Sequence, residues 1–67
     1  MMGKQDVQNA IIGVIFELKG EFTKEQILER LKKSIEYEDL DKLVDDNLSL
    51  LCLTGVIRKT RDNKYTN

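Results

Sequence analysis

Carboxylates clustered around a single lysine are the side chains in this sequence best placed to do chemistry. Lys42 is the only cation between residues 38 and 46. The same stretch holds five carboxylates: Glu38, Asp39, Asp41, Asp45 and Asp46. A catalytic nucleophile or a zinc site would also need histidines or further thiols, and the chain has no histidine and one cysteine, Cys52. We therefore expect a binding surface, with no enzyme activity, no cofactor and no metal centre.

The net charge of −1 conceals three segments of different sign. Residues 1–33 carry six cations and five anions, which gives +1. Residues 34–54 carry one cation and six anions, which gives −5, and residues 55–67 carry four cations and one anion, which gives +3. Opposite charge in successive segments predicts that the two surfaces favour different partners.

Cations are the second group of candidate binding residues. Four lie in the last segment, at Arg58, Lys59, Arg61 and Lys64. Lys32 and Lys33 add charge earlier in the chain. Such side chains can neutralise nucleic-acid phosphates. The alternatives are an ordinary solvated turn for the first group and a favourable interaction with a helix C-terminus for the second.

Two helices are predicted in the first half of the chain. Apolar residues recur at helical spacing over about 5–19, with Ile12 and Phe16 widening the stripe on one side. A second helix over about 24–33 is indicated by Thr23 as N-cap and Gln26 three residues later, the pattern of a capping box. Glu21 and Phe22, between the helices, suit a very short strand.

The acidic residues lie on the third predicted helix, over about 38–53. One arc of it is apolar: Leu40, Leu43, Val44, Leu48, Leu50 and Leu51. Asn47 falls inside this arc, where we expect its amide to bond to a loop backbone. After Gly55, alternation and the turn sequence "RDNK" predict a β-hairpin over about 55–66. The fold class is therefore mainly α with a small β-hairpin, in a single domain over residues 1–67.

This order of elements resembles the winged-helix (winged helix-turn-helix) superfamily. The resemblance is carried by "EFTKEQILERL" and by Leu48, Leu51 and Gly55, followed by "VIRK". It implies a three-helix domain whose third helix and hairpin, the wing, bind double-stranded DNA in transcription regulation. The glycine typical of the connection between the second and third helices is missing from this chain.

The acidic third helix divides the functional hypotheses. Carboxylates near the start of a recognition helix repel phosphates, so DNA contact would be led by the wing through Arg58, Lys59, Arg61 and Lys64, with Lys32 and Lys33 on the backbone. The alternative is a protein-interaction module that docks a basic partner on the acidic helix. Its docking residues would be Asp39, Lys42, Asp45 and Asp46.

Two further expectations concern assembly and location. Ile12 and Phe16 are either covered by the wing and the third helix, or they form the seam of a homodimer. No apolar run approaches the ~20 residues that span a bilayer, and the N-terminus lacks the pattern of a signal peptide. A single cysteine also suits a reducing compartment, so we expect a cytoplasmic protein without membrane contact.

Overall fold

Three helices and a small sheet make up residues 3–67, the part of the chain that the computed structural model describes. The helices are α1 (Lys4–Glu17), α2 (Lys24–Lys32) and α3 (Leu40–Leu53). The strands are β1 (Glu21–Phe22), β2 (Arg58–Lys59) and β3 (Tyr65–Thr66). The predicted fold class, mainly α with a small β-hairpin, is confirmed.

Helix boundaries differ from the predicted ones by one or two residues. The end of α1 comes earlier because Leu18 takes extended backbone (φ −77°, ψ 120°) and the chain turns towards β1. The start of α3 comes later because residues 37–40 form a turn, closed by the Leu40 N–H donating to the Tyr37 carbonyl at 3.2 Å. Apolar periodicity continues through such turns, so it does not mark where helical backbone stops.

The start of α2 forms as the sequence predicts. The Gln26 N–H donates to Thr23 Oγ1 at 3.2 Å, and the Thr23 N–H donates to Gln26 Oε1 at 2.8 Å. These reciprocal bonds satisfy two donors that a helix N-terminus otherwise leaves free. Phe22 before the cap and Ile27 inside the helix are both buried, as a hydrophobic staple requires.

The sheet is antiparallel, and its strand order is β1-β3-β2. Tyr65 of the central strand is paired with Phe22 on one side and Lys59 on the other. The hairpin turn is closed by the Thr60 N–H donating to the Lys64 carbonyl at 2.7 Å, and Asn63 takes a left-handed backbone (φ 61°). Three helices with this three-stranded sheet are compatible with a winged-helix topology.

One apolar core lies between the three helices and the sheet. Ile35, in the connection before α3, contributes to it, and Tyr37 packs against it. The buried apolar side chains are Val7, Ile11, Ile15, Phe22, Ile27, Leu31, Ile35, Leu40, Leu43, Val44, Leu48 and Ile57. Every element except the short strands β2 and β3 therefore contributes a buried residue, and Ile57 stands immediately before β2.

The structure corrects two expectations, the burial of Leu50 and the hydrogen-bond partner of Asn47, and it removes one of the two alternatives for Phe16. Leu50 is 57% exposed, because it lies at the edge of the α3 arc that the other helices cover. Asn47 is buried, but its Nδ2 donates to the Leu43 carbonyl of the same helix at 2.8 Å and not to a loop. Phe16 is 59% exposed, so the wing and α3 do not cover it, while Ile12 is half-buried.

Candidate partner-binding surfaces

The outward side of α3 and the turn before it form an acidic surface. Asp39, Asp41, Asp45 and Asp46 are all exposed, and so is Glu38. Lys42 is the only cation that this stretch contributes. The α3 residues 41, 42, 45 and 46 occupy the side of the helix opposite Leu40 and Val44, which are buried. Burial of the apolar arc therefore turns the carboxylates towards solvent, as the sequence predicts.

Lys24, the first residue of α2, partly neutralises this surface. Its Nζ forms ion pairs with Asp41 and, at 2.7 Å, with Asp45 Oδ2. The lysine side chain is 24% exposed, whereas those of the two aspartates are 72% and 54% exposed. The hydrogen bond to Asp41, followed by that to Asp45, raises the pKa of Lys24 above its ordinary value of 10.5. Asp41 and Asp45 thus hold the start of α2 against α3.

We call the pairing of Lys24 with Asp41 and Asp45 the Lys24 clamp. The sequence contains a signal for it that we did not use in predicting the site. Asp41 and Asp45 stand four residues apart, so they lie on one line of the helix surface. Lys24 occupies the first turn of α2, where the helix dipole disfavours a cation. A cation at that unfavourable position indicates a compensating anionic partner.

The predicted docking residues are only partly brought together. Asp39, Lys42 and Asp46 line one shallow cleft of about 150 Å³ at the N-terminal half of α3. Lys4 of α1 and Tyr37 also line it. Asp45 does not line this cleft, because its carboxylate faces Lys24. Of the acidic residues on this surface, Glu38, Asp39 and Asp46 make no ion pair within residues 3–67.

The wing carries the basic surface. Arg58 and Lys59 form β2, Arg61 lies in the hairpin turn, and Lys64 precedes β3. All four side chains are exposed, and none of them makes an ion pair within residues 3–67. Asp62 is the only acid in the turn. Four cations are thus available to an anionic partner.

Lys32 and Lys33 lie at the C-terminal end of α2. α2 begins beside the sheet, and Lys32 is eight residues further along, at about 12 Å with a rise of ~1.5 Å per residue. Both lysines are exposed. Nearby, Arg30 pairs with Glu17 Oε2 at 3.0 Å, which ties α2 to α1. The six tentative nucleic-acid residues therefore lie on two different parts of the fold, the end of α2 and the hairpin of β2 and β3.

An exposed apolar group at the end of α3 was not predicted. Leu53 is 85% exposed, Leu50 is 57% exposed, and Val56 in the following turn is 43% exposed. Of these three residues, Leu53 alone lines an open cleft of about 420 Å³, together with Ser49, Cys52, Lys59 and Tyr65. Sequence periodicity places Leu50 in the apolar arc of α3, but periodicity does not show which side of that arc the other helices cover. The exposure of Leu50 is therefore a property of the tertiary structure.

Neither a metal site nor a membrane span is formed by the described part of the chain. Within residues 3–67, no three histidine, cysteine, aspartate or glutamate side chains lie close enough together to hold a metal ion. The helices formed by these same residues are all too short or too polar to cross a bilayer. Cys52 is a free thiol, half-buried near the end of α3.

Comparison with protein-family models, curated proteins and solved structures finds no match to this chain.

Proposed function

We propose that this chain is a winged-helix domain that serves as a protein-interaction module, docking a basic partner on the acidic surface of α3. The observation that carries this proposal is the separation of charge between α3 and the wing. A duplex-binding winged helix needs a positive strip that runs from the recognition helix into the wing. Here the strip is interrupted by Asp39, Asp41, Asp45 and Asp46, which are exposed where DNA would enter.

The net charge of the acidic surface remains negative after its internal ion pairs are counted. Residues 38–46 hold five acids and one lysine, and Lys24 and Lys4 add one cation each, which leaves −2. Complementary charge of this kind raises the association rate and selects against partners of the wrong sign. A partner with several lysines or arginines on one face fits this surface. A cytoplasmic location, favoured by the single cysteine, belongs to the same proposal.

Chemical-shift mapping with two probes tests this proposal. The first probe is a twelve-residue peptide of serine and four lysines, and the second is a random-sequence DNA duplex. We expect the peptide to shift backbone amides of residues 39–46. The duplex should leave those amides unchanged. Shifts confined to residues 58–64 with the duplex, and none on α3 with the peptide, would overturn the proposal.

Charge reversal supplies the matched variants. Asp39→Lys and Asp46→Lys are chosen because these carboxylates make no ion pair within residues 3–67, whereas reversing Asp45 would place a second cation beside Lys24. Glu29→Lys, on the exposed side of α2, makes the same change of charge elsewhere. We expect the first two variants to lose peptide binding and Glu29→Lys to keep it. Equal losses in all three would show a general charge effect and count against a specific surface.

A second candidate function, wing-led contact with double-stranded DNA in transcription regulation, is favoured by the four unpaired cations of the wing. If Arg58, Lys59, Arg61 and Lys64 each neutralise one phosphate, the logarithm of the binding constant falls with the logarithm of salt concentration at a slope of about −3.6. Anisotropy measurements with a labelled duplex over a salt series would give this slope. Absence of binding at low salt removes this candidate.

A further inference from the structure

The exposed surface changes from acidic to apolar to basic between α3 and the wing. Asp46, Leu50 and Leu53 stand at positions i, i+4 and i+7, so they lie on one line of the helix, about 10 Å long. Lys59 lines the same cleft as Leu53, so the basic end adjoins the apolar middle in space. We call the following six exposed residues the α3–wing strip: Asp46, Leu50, Leu53, Val56, Arg58 and Lys59.

Each end of the α3–wing strip belongs to a wider surface of the same sign. Lys4 and Lys42 share a cleft with Asp46, and the acidic surface still carries −2 when they and the lysine of the Lys24 clamp are counted. Residues 55–67 carry +3. Neither Asp46 nor Lys59 makes an ion pair within residues 3–67, so both charges are available to a partner.

A partner that covers the apolar middle meets charges of both signs. A purely cationic segment would be repelled by Lys59 beside Leu53, and a purely anionic one would be repelled by Asp46, one turn from Leu50. The complementary surface must therefore present a cation at one end, apolar side chains in the middle and an acid at the other end. The α3–wing strip of a second copy has these three parts in this order.

A two-fold axis gives the second copy the required orientation. When two copies meet about such an axis through the apolar middle, each end of one strip lies opposite the other end of its counterpart. Asp46 of each copy then faces Lys59 of the other, and the leucines of the two copies cover one another. The net charge of −1 per chain opposes this association only weakly.

We infer that this chain forms a symmetric dimer through the α3–wing strip, so that the basic partner of the acidic surface is the wing of a second copy. This inference rests on the proposed function and names the partner. An interface of standard size takes roughly 20–30 residues from each side, with apolar residues at its centre and polar ones at its rim. The leucines supply that centre, and the charged ends supply the rim.

Analytical ultracentrifugation of the full chain over a concentration series tests the inference. We expect the mass to rise from one chain to two at low salt. Leu50→Ala together with Leu53→Ala should weaken the dimer about tenfold or more, since each substitution occurs twice in a symmetric dimer. Phe16→Ala removes a similarly exposed apolar side chain on α1 and should leave the dimer unchanged.

Charge exchange tests which residues face each other. Asp46→Lys and Lys59→Glu each create two like-charge contacts, so either variant alone should dimerise about tenfold more weakly than the wild type. An equimolar mixture of the two variants restores opposite charges at both contacts. Native mass spectrometry, with one variant labelled with ¹⁵N, should then find dimers that contain one chain of each. A mixture that remains monomeric overturns the inference.

The outcomes distinguish this inference from the proposed function. A chain that stays monomeric while the lysine peptide still shifts residues 39–46 overturns the inference alone. A monomeric chain that also fails to bind the peptide overturns both. Association that is lost in Phe16→Ala and kept in the leucine variant places the seam on α1 and overturns the inference. Growth beyond two chains does the same, because a two-fold contact closes at the dimer.

Discussion

Replacing Lys24 by methionine should destabilise the domain measurably, although the residue belongs to no predicted site. Lys24→Met keeps the length of the side chain and removes the ammonium that pairs with Asp41 and Asp45. An exposed ion pair contributes about 0.2–1 kcal/mol, and both pairs here share one ammonium and have exposed aspartates. Asp41 and Asp45, one helical turn apart, would also repel each other by about 0.2–0.5 kcal/mol.

The expected total is a loss of about 1 kcal/mol in the free energy of unfolding. For a domain of this size, that loss lowers the midpoint of thermal unfolding by about 4–8 °C. Urea unfolding followed by circular dichroism would measure the free energy, and its denaturant slope should not change. Lys19→Met serves as the control, because Lys19 is exposed and makes no ion pair within residues 3–67.

Salt and pH provide two independent checks on the same clamp. In 1 M NaCl, where the Debye length is about 3 Å, the difference between the wild type and Lys24→Met should shrink. The pKa of Lys24 is raised in the folded state, so its contribution is fully present below pH 10.5 and is lost as pH rises through the folded value. The difference should therefore be constant from about pH 7 to 9 and decrease above pH 10.5. If the stability difference between the wild type and Lys24→Met is unchanged by salt and persists above pH 10.5, the electrostatic explanation is refuted.

The remaining predictions concern a helix cap and two glycines, and urea unfolding measures the stability change in each. Thr23→Ala should lower the free energy of unfolding by about 1 kcal/mol, because it removes the side-chain acceptor of the α2 capping box; an unchanged midpoint would contradict that role. Gly13→Ala should stabilise the domain by about 0.5–1 kcal/mol, since an added Cβ would meet nothing within 4 Å on this exposed helical position. Gly55→Ala should instead destabilise it by about 1 kcal/mol, because Gly55 holds a left-handed backbone (φ 82°) at the end of α3; stabilisation by both alanines would disprove the distinction.

The capping box at the start of α2 was predictable from the sequence because it depends on residues that are close together in the chain. Thr23 and Gln26 are three residues apart, and their bonds depend only on the backbone between them. The position of Gly55 after α3 and the polar turn of the hairpin are signals of the same kind. The exposure of Arg61 followed from them, because a hairpin with a polar turn exposes its turn residues.

Contacts between residues that are far apart in the chain could not be predicted from such short-range signals. The partners Lys24 and Asp45 are 21 residues apart, and no periodicity within either helix specifies the other. The same is true of Asn67, whose Nδ2 donates to the Leu18 carbonyl at 2.9 Å, 49 residues away. The exposure of Leu50 and Phe16 likewise depends on which side of each helix the other elements cover and not on the residues themselves.

The sequence by itself determined most of the residues that face inward on each helix, where the strongest cap lies, and the division of charge between the third helix and the wing. These properties follow from the fixed turn of a helix and from hydrogen bonds across three or four residues. Only the tertiary structure decided that Asp41 and Asp45 are held by Lys24, that Asp39 and Asp46 make no ion pair within residues 3–67, and that Leu50 and Leu53 face solvent. Packing of distant segments sets these relations, because contact between two side chains depends on the path of the whole chain between them.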